Sequence, residues 1–207
     1  KVTMDSATYQ GMVRAAHFEG FGTMRFDSGA LYVGQFKADR YHGTGTYTWP
    51  DKRAYKGQFR KGKRHGQGRF QWTDGAVYEG AWRQEEIQGN GKLTNPDGSV
   101  YVGGFKDGVF SGRGLLTWPN GNSHKGQYRQ GKIQGPGTYV YRDKGKVVGK
   151  YVGNFVDGQR AGRGTFTWAD GASLKGVFKA GKPWSGIRKN SVGERVATYK
   201  AGKEYLK

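Results

Sequence analysis

Four histidines, His17, His42, His65 and His124, are the residues in this chain best suited to proton transfer or metal binding. Histidine titrates near neutrality and ligates metals through a ring nitrogen. A metal centre needs several such ligands at converging spacings, and no histidine pair here has them. His42 and His65 occupy matching positions before Gly43 and Gly66, so repetition accounts for both. The 16 carboxylates fall mostly in turn-rich stretches, where Asp serves local hydrogen bonds. The chain has no cysteine, which removes a thiolate ligand, a cysteine nucleophile and a disulfide framework. Gly-x-Gly recurs throughout. A phosphate-cradling loop would also need a following helix and Lys-Ser/Thr, and neither accompanies it. The expectation is a non-enzymatic protein without a metal or cofactor.

The elements behind these residues follow a fixed metre. Gly11, Gly34, Gly57, Gly80, Gly103 and Gly126 recur every 23 residues, Gly153 comes four residues late, and Gly176 restores the step. A second glycine keeps the same phase at Gly22, Gly45, Gly68, Gly91, Gly114, Gly137 and Gly164. A short fixed period marks a repeat array in which each unit contacts mainly its neighbours. In Tyr55-Lys56-Gly57-Gln58-Phe59-Arg60, Tyr, Gly and Phe alternate with polar residues and share one strand face. Lys61 to His65 is turn-rich, and then Gly66, Gly68, Phe70 and Trp72 are expected on one face of a second strand. Each repeat is thus a β-hairpin. Glycine on an aromatic face gives a ring room over the backbone. Asp-Gly and Asn-Gly at 97–98, 120–121 and 170–171 mark tight turns between hairpins. The four extra residues of one join fall in Arg142–Lys150, expected to be a basic loop. The fold class expected is all-β: an elongated, twisted, single-layer antiparallel sheet of stacked hairpins.

Composition agrees. Hydrophobic content is only 34% while aromatic content is 14%, which suits a thin structure held by large flat side chains. The net charge of +19 is uneven. Residues 1–103 carry 15 Lys and Arg against 10 Asp and Glu (+5), and residues 104–207 carry 20 against 6 (+14). Such a body favours acidic partners: anionic lipid, nucleic acid or acidic protein segments. No apolar run approaches the length of a membrane span. The chain opens on Lys1, as expected of a processed form or a fragment, and a removed leader stays open.

The pattern Tyr-x-Gly-x-aromatic, turn, Gly-x-Gly, Asp/Asn-Gly resembles the MORN (membrane occupation and recognition nexus) repeat family. The resemblance spans about residues 9–182. His124 and Leu174 stand in place of the opening Tyr, Val13 in place of the aromatic, and Lys52 in place of the turn glycine. It implies an array of about eight 23-residue hairpins over 1–182, with 183–207 as a degenerate C-terminal capping hairpin. For function it implies protein binding, assembly or contact with acidic phospholipids, in scaffolds or beside enzyme domains.

Two surfaces are candidates. The aromatic one is expected to bind a protein partner, as helix or extended peptide, through a groove of Tyr32, Trp49, Tyr55, Trp72, Tyr78, Trp82, Tyr101, Trp118, Tyr151 and Trp168. The other is a row of cations three residues after each phase-setting glycine: Arg14, Lys37, Arg60, Arg83, Lys106, Arg129 and Lys179. Alternation sets that row on the opposite face, facing an anionic lipid surface. A phospholipid-binding module and a regulatory domain cut from a larger enzyme are the alternatives to a scaffold. Nucleic acid is disfavoured because stacking platforms need rings and cations together. Exposed edges at the array ends offer a homodimer contact. The expected location is cytoplasmic, at a membrane or the cytoskeleton, with a processed or secreted bacterial form as the alternative.

Overall fold

The computed structural model describes residues 2–4 and 6–207. These residues hold 19 β-strands and no helix. The chain divides into two compact units. One runs to Pro96 and includes Phe105–Gly108, and the other is Asp97–Gly104 with Val109–Lys207. In the first, strand Val2–Met4 precedes the hairpins Ala7–Arg14/His17–Phe26, Leu31–Lys37/Arg40–Thr48, Ala54–Arg60/Lys63–Gln71 and Val77–Arg83/Glu86–Thr94. In the second, Val109–Thr117 precedes the hairpins Ser123–Arg129/Lys132–Asp143, Lys146–Val156/Gln159–Trp168, Ser173–Lys179/Lys182–Lys189 and Arg195–Lys200/Lys203–Leu206. Within each unit, successive strands pair antiparallel in chain order. Each unit is therefore an all-β, open antiparallel sheet of hairpins.

The two glycines of Gly-x-Gly do different work. Gly68 is the floor for a ring: a Cβ there would come within 2.3 Å of Tyr55 Oη and 2.4 Å of its Cε2. The Tyr55 hydroxyl reaches past the glycine and donates to Gln58 O at 2.8 Å. The same bond recurs from Tyr9, Tyr32, Tyr78, Tyr101 and Tyr151 to the carbonyl three residues on. Gly66 is no platform, contrary to the alternation expected from sequence. Gly57 opposes Gly68, but Gln58 opposes His65, so Gly66 and Gln67 form a bulge. Gly66 takes a φ of +63°, a region costly for residues with a Cβ. The Gln58 side-chain oxygen accepts from Gln67 N at 2.8 Å and fills the gap.

The turns also differ from expectation. Inside the hairpin only Lys61 and Gly62 turn, both with positive φ, and Lys63 to His65 are already strand. That two-residue geometry suits the twist of paired strands. Between hairpins the turn is longer. Trp72 N donates to Ala76 O, and Gly75 N donates back to Trp72 O. Gly75 supplies the positive φ of this turn, at +92°, as the Asp-Gly pair predicts, and Asp74 closes it. Its carboxylate accepts from Ala76 N at 2.9 Å, and Asp97, Asn120 and Asp170 repeat this. The four inserted residues are not a loop. They extend the ladder that joins two successive hairpins, with Arg142 opposite Val147, Asp143 opposite Lys146, and Lys144-Gly145 at the tip.

Neighbouring hairpins are tied at their tips. Gly62 N donates to Tyr41 O, Glu85 N to Arg64 O, Gly131 N to Phe110 O, Gly158 N to Ile133 O and Gly181 N to Arg160 O. Each tip thus bonds to the hairpin before it. Rings carry the packing in the same direction, edge to face. Tyr9 meets Phe36 at 5.0 Å, Tyr32 meets Phe59 at 5.3 Å and Tyr55 meets Trp82 at 5.3 Å. In the second unit Tyr101 meets Tyr128 at 5.0 Å and Tyr151 meets Phe178 at 4.9 Å. Such pairs contribute about 0.5–1.5 kcal/mol each beyond area burial. A single-layer sheet obtains its core this way.

His124 is the irregular member. It fills a tyrosine position, is fully buried, and bonds through Nδ1 to the Tyr128 hydroxyl at 2.9 Å. Its Nε2 is buried without a partner among the described residues. Burial lowers its pKa from the usual value to about 4.

Candidate binding surfaces

The tyrosines expected to line a groove are not available to a partner. Tyr32, Tyr55, Tyr78, Tyr101 and Tyr151 have no solvent exposure, and Trp82 retains 5%. The reason is the sandwich around each ring. Glycine lies beneath it, and the second residue of the next strand covers it. Phe18 stacks on Tyr9 at 3.9 Å, Tyr41 on Tyr32 at 3.9 Å and Phe110 on Tyr101 at 3.7 Å. Burial pushes the phenols up, to about 12 for Tyr78 and Tyr101. These rings are core, so the anchor set narrows to the tryptophans at the inter-hairpin turns.

Trp49, Trp72, Trp118 and Trp168 are each half-buried. They pack in staggered runs with their neighbours. Trp49 lies 5.6 Å from Phe70, and Phe70 lies 4.7 Å from Trp72. Trp118 lies 5.3 Å from Tyr139, Tyr139 lies 4.4 Å from Tyr141, and Phe166 lies 4.8 Å from Trp168. In the first unit Trp49, Phe70, Trp72 and Trp82 line an open cleft of about 550 Å³ with Arg53, Arg64, Glu85, Glu86, Ile87 and Asp107.

Two residues that sequence reading passed over matter here. Arg64 and Arg160 occupy the covering position that Phe18, Tyr41 and Phe110 fill elsewhere. The signal was present: a planar cation stood in a slot otherwise given to rings or isoleucine. The Arg64 guanidinium lies 4.4 Å from the Trp82 ring, 5.2 Å from Phe70 and 5.8 Å from Tyr55. Arg160 lies 5.3 Å from Phe178, 5.5 Å from Phe166 and 5.7 Å from Tyr151. A guanidinium stacks as a ring does and adds charge–quadrupole attraction.

Arg14, Lys37, Arg60, Arg83, Lys106, Arg129 and Lys179 are all exposed. None forms an ion pair among the described residues. Lys179 lies 4.7 Å over the Trp184 ring. Arg60 also joins Arg40, Lys61, Lys63, His65 and Gln84 around a depression of about 430 Å³. His17 pairs with Asp39 at 2.5 Å, and the carboxylate hydrogen bond raises the imidazole pKa. No group of three or more His, Cys, Asp or Glu placed to hold a metal exists among the described residues.

The model of the MORN repeat matches residues 9–31, 32–52, 55–77, 78–100, 101–123, 124–146 and 151–173. The chain belongs to the MORN repeat family. The matched MORN segments begin on the tyrosine that each sandwich buries, or on His124 in its place. No curated protein sequence matches the chain. Among solved structures it is similar to the TCP domain of SAS-4 (dCPAP) from Drosophila melanogaster, solved with a proline-rich motif of Ana2. That similarity has 13% identity and a TM-score of 0.48, over 80% of this chain and 85% of that one. It is also similar to the TCP10 domain of Danio rerio CPAP, in a point mutant, at 15% identity and a TM-score of 0.42, over 88% and 95% of the two chains. At these values neither likeness supports an inference about this MORN chain.

Proposed function

We propose that this chain is a protein-binding scaffold whose tryptophan-lined surface seats a helix or extended segment of a partner. One observation carries the reading: four half-buried tryptophans recur at equivalent turns, each beside other rings, with a cleft of about 550 Å³ next to Trp49 and Trp72. Half-buried tryptophan backed by a rigid ring layer is the side chain best suited to anchor a partner. The rings beneath are locked by glycine and hydroxyl contacts, so little ordering is left to oppose binding.

Two double variants test it, Trp49→Ala with Trp72→Ala and Trp118→Ala with Trp168→Ala. Partner capture from native extract should fall by tenfold or more in at least one of them, on the order of the loss of a single anchor. Circular dichroism should remain that of the parent. Capture that survives both pairs removes the proposal.

A second reading rests on the cation row. Seven exposed, unpaired cations, with Arg40, Lys61 and Lys63 around the depression beside Arg60, suit an acidic bilayer surface. In this reading the row adds membrane attachment to a scaffold and leaves the tryptophan surface free.

A further inference from the structure

The two units offer an internal comparison. Residues of the Arg64 hairpin recur 96 positions later, four repeats of 23 plus the four-residue insertion, so Arg64 corresponds to Arg160 and Glu85 to Gly181. The backbone agrees, since Glu85 N donates to Arg64 O as Gly181 N donates to Arg160 O. The aromatic frame is retained: Tyr55, Phe70 and Trp72 correspond to Tyr151, Phe166 and Trp168. The charge is not. Glu85 binds Arg64 Nε at 2.8 Å and also accepts from its backbone N–H. Arg160 has no carboxylate partner among the described residues, and the one hydrogen bond of its guanidinium there runs from Nη2 to Gly181 O. The neighbouring Glu86 is replaced by Lys182.

We infer that the Arg160 cup is a recognition site for a carboxylate side chain of a partner polypeptide, an Asp or Glu set beside an apolar residue that packs on Phe166 and Trp168. The inference rests on the scaffold reading and adds the partner's chemistry to it. A guanidinium held between three rings keeps most of its five N–H donors free and pre-aimed. The acid that satisfies it in the first unit is absent from the second, and the adjoining charge has the opposite sign. The partner's carboxylate would restore the missing bond. Its apolar neighbour would cover rings that are only partly buried.

The full chain would be used to select from a displayed library of random peptides. The best-enriched peptide would then be synthesised with its acid and with the corresponding amide. Dissociation constants would be measured for the parent, Gly181→Glu, Arg160→Tyr and Trp168→Ala. Glu85 shows that this turn position tolerates glutamate at a φ of +81°. Arg160→Tyr restores the ring stack of Tyr32 and Tyr41, so one variant reports should the other fail to fold. The expected result is an enriched acid beside an apolar residue and about tenfold weaker binding of the amide peptide. Gly181→Glu and Arg160→Tyr should each abolish the preference for acid over amide. Equal affinity for acid and amide, with binding lost in Trp168→Ala, overturns this inference and leaves the scaffold reading standing. Binding untouched by Trp168→Ala also overturns this inference and leaves the scaffold reading to Trp49 and Trp72, whereas no enrichment at all removes both.

Discussion

The phenol of Tyr55 lies so close across Gly68 that a Cβ there would come within 2.3 Å of the hydroxyl oxygen. The nearest atoms it would meet all belong to that ring, so the ring must move or the strands must part. Gly68→Ala should cost about 2–3 kcal/mol in denaturant unfolding, in the range of core overpacking. In a Tyr55→Ala background the same change should cost far less. A full, additive cost in the double variant would show that the ring does not dictate the glycine.

His124 makes stability depend on mild acid. Its folded pKa of about 4 lies below the ordinary 6.5, so the unfolded chain binds the extra proton first. Its contribution is complete above pH 6.5 and is lost as pH falls toward 4, a total of about 3 kcal/mol. The double variant His124→Tyr, Tyr128→Phe recreates the Tyr-x-Gly-x-Phe of Tyr55 to Phe59 and frees the space that the Tyr128 hydroxyl occupies. Its stability should change less than the parent's between pH 7 and pH 4.5. Parallel curves would mean that the imidazole is not the titrating group.

Removing the acid from the Arg64 pair should be mild, and removing the base less so. Glu85 is 44% exposed and solvent screens it, so Glu85→Ala is expected to cost about 1 kcal/mol. Arg64→Ala also strips a planar group from three rings and should cost about 2 kcal/mol. Thermal melts that rank the two variants the other way would contradict the stacking role.

Charge reversal on the cation row addresses the membrane. Arg60→Glu, Arg83→Glu and Arg129→Glu together should abolish sedimentation with phosphatidylserine vesicles, and parent binding should fall steeply as salt is raised. Binding to neutral vesicles, or binding indifferent to salt, would exclude the row. Peptide capture at the tryptophans should be unchanged in the triple variant.

The hairpins and the ring-over-glycine contact were legible in the sequence because Tyr55, Gly57, Gly68 and Phe70 alternate in fixed phase. The bulge at Gly66 and Gln67 was not. It recurs after Gly11, Gly34, Gly80, Gly126 and Gly153, so it leaves the period untouched and shows only in pairings such as Gln58 with His65. Which rings stay reachable was hidden for a similar reason. Tyr55 and Trp72 are both large and aromatic, and only a covering residue from the facing strand, here Arg64, decides that Tyr55 is sealed. Arg64 and Arg160 themselves looked like ordinary solvated cations because composition does not register stacking.

Within each unit the principal strand contacts join consecutive strands. A hairpin can therefore close over a short stretch of chain, before distant parts of the molecule have found one another. Sheet proteins usually assemble slowly because their pairings span long separations. Here the cost of loop closure is met a few residues at a time, and any hairpin with an intact tyrosine can serve as the seed from which its neighbours zip.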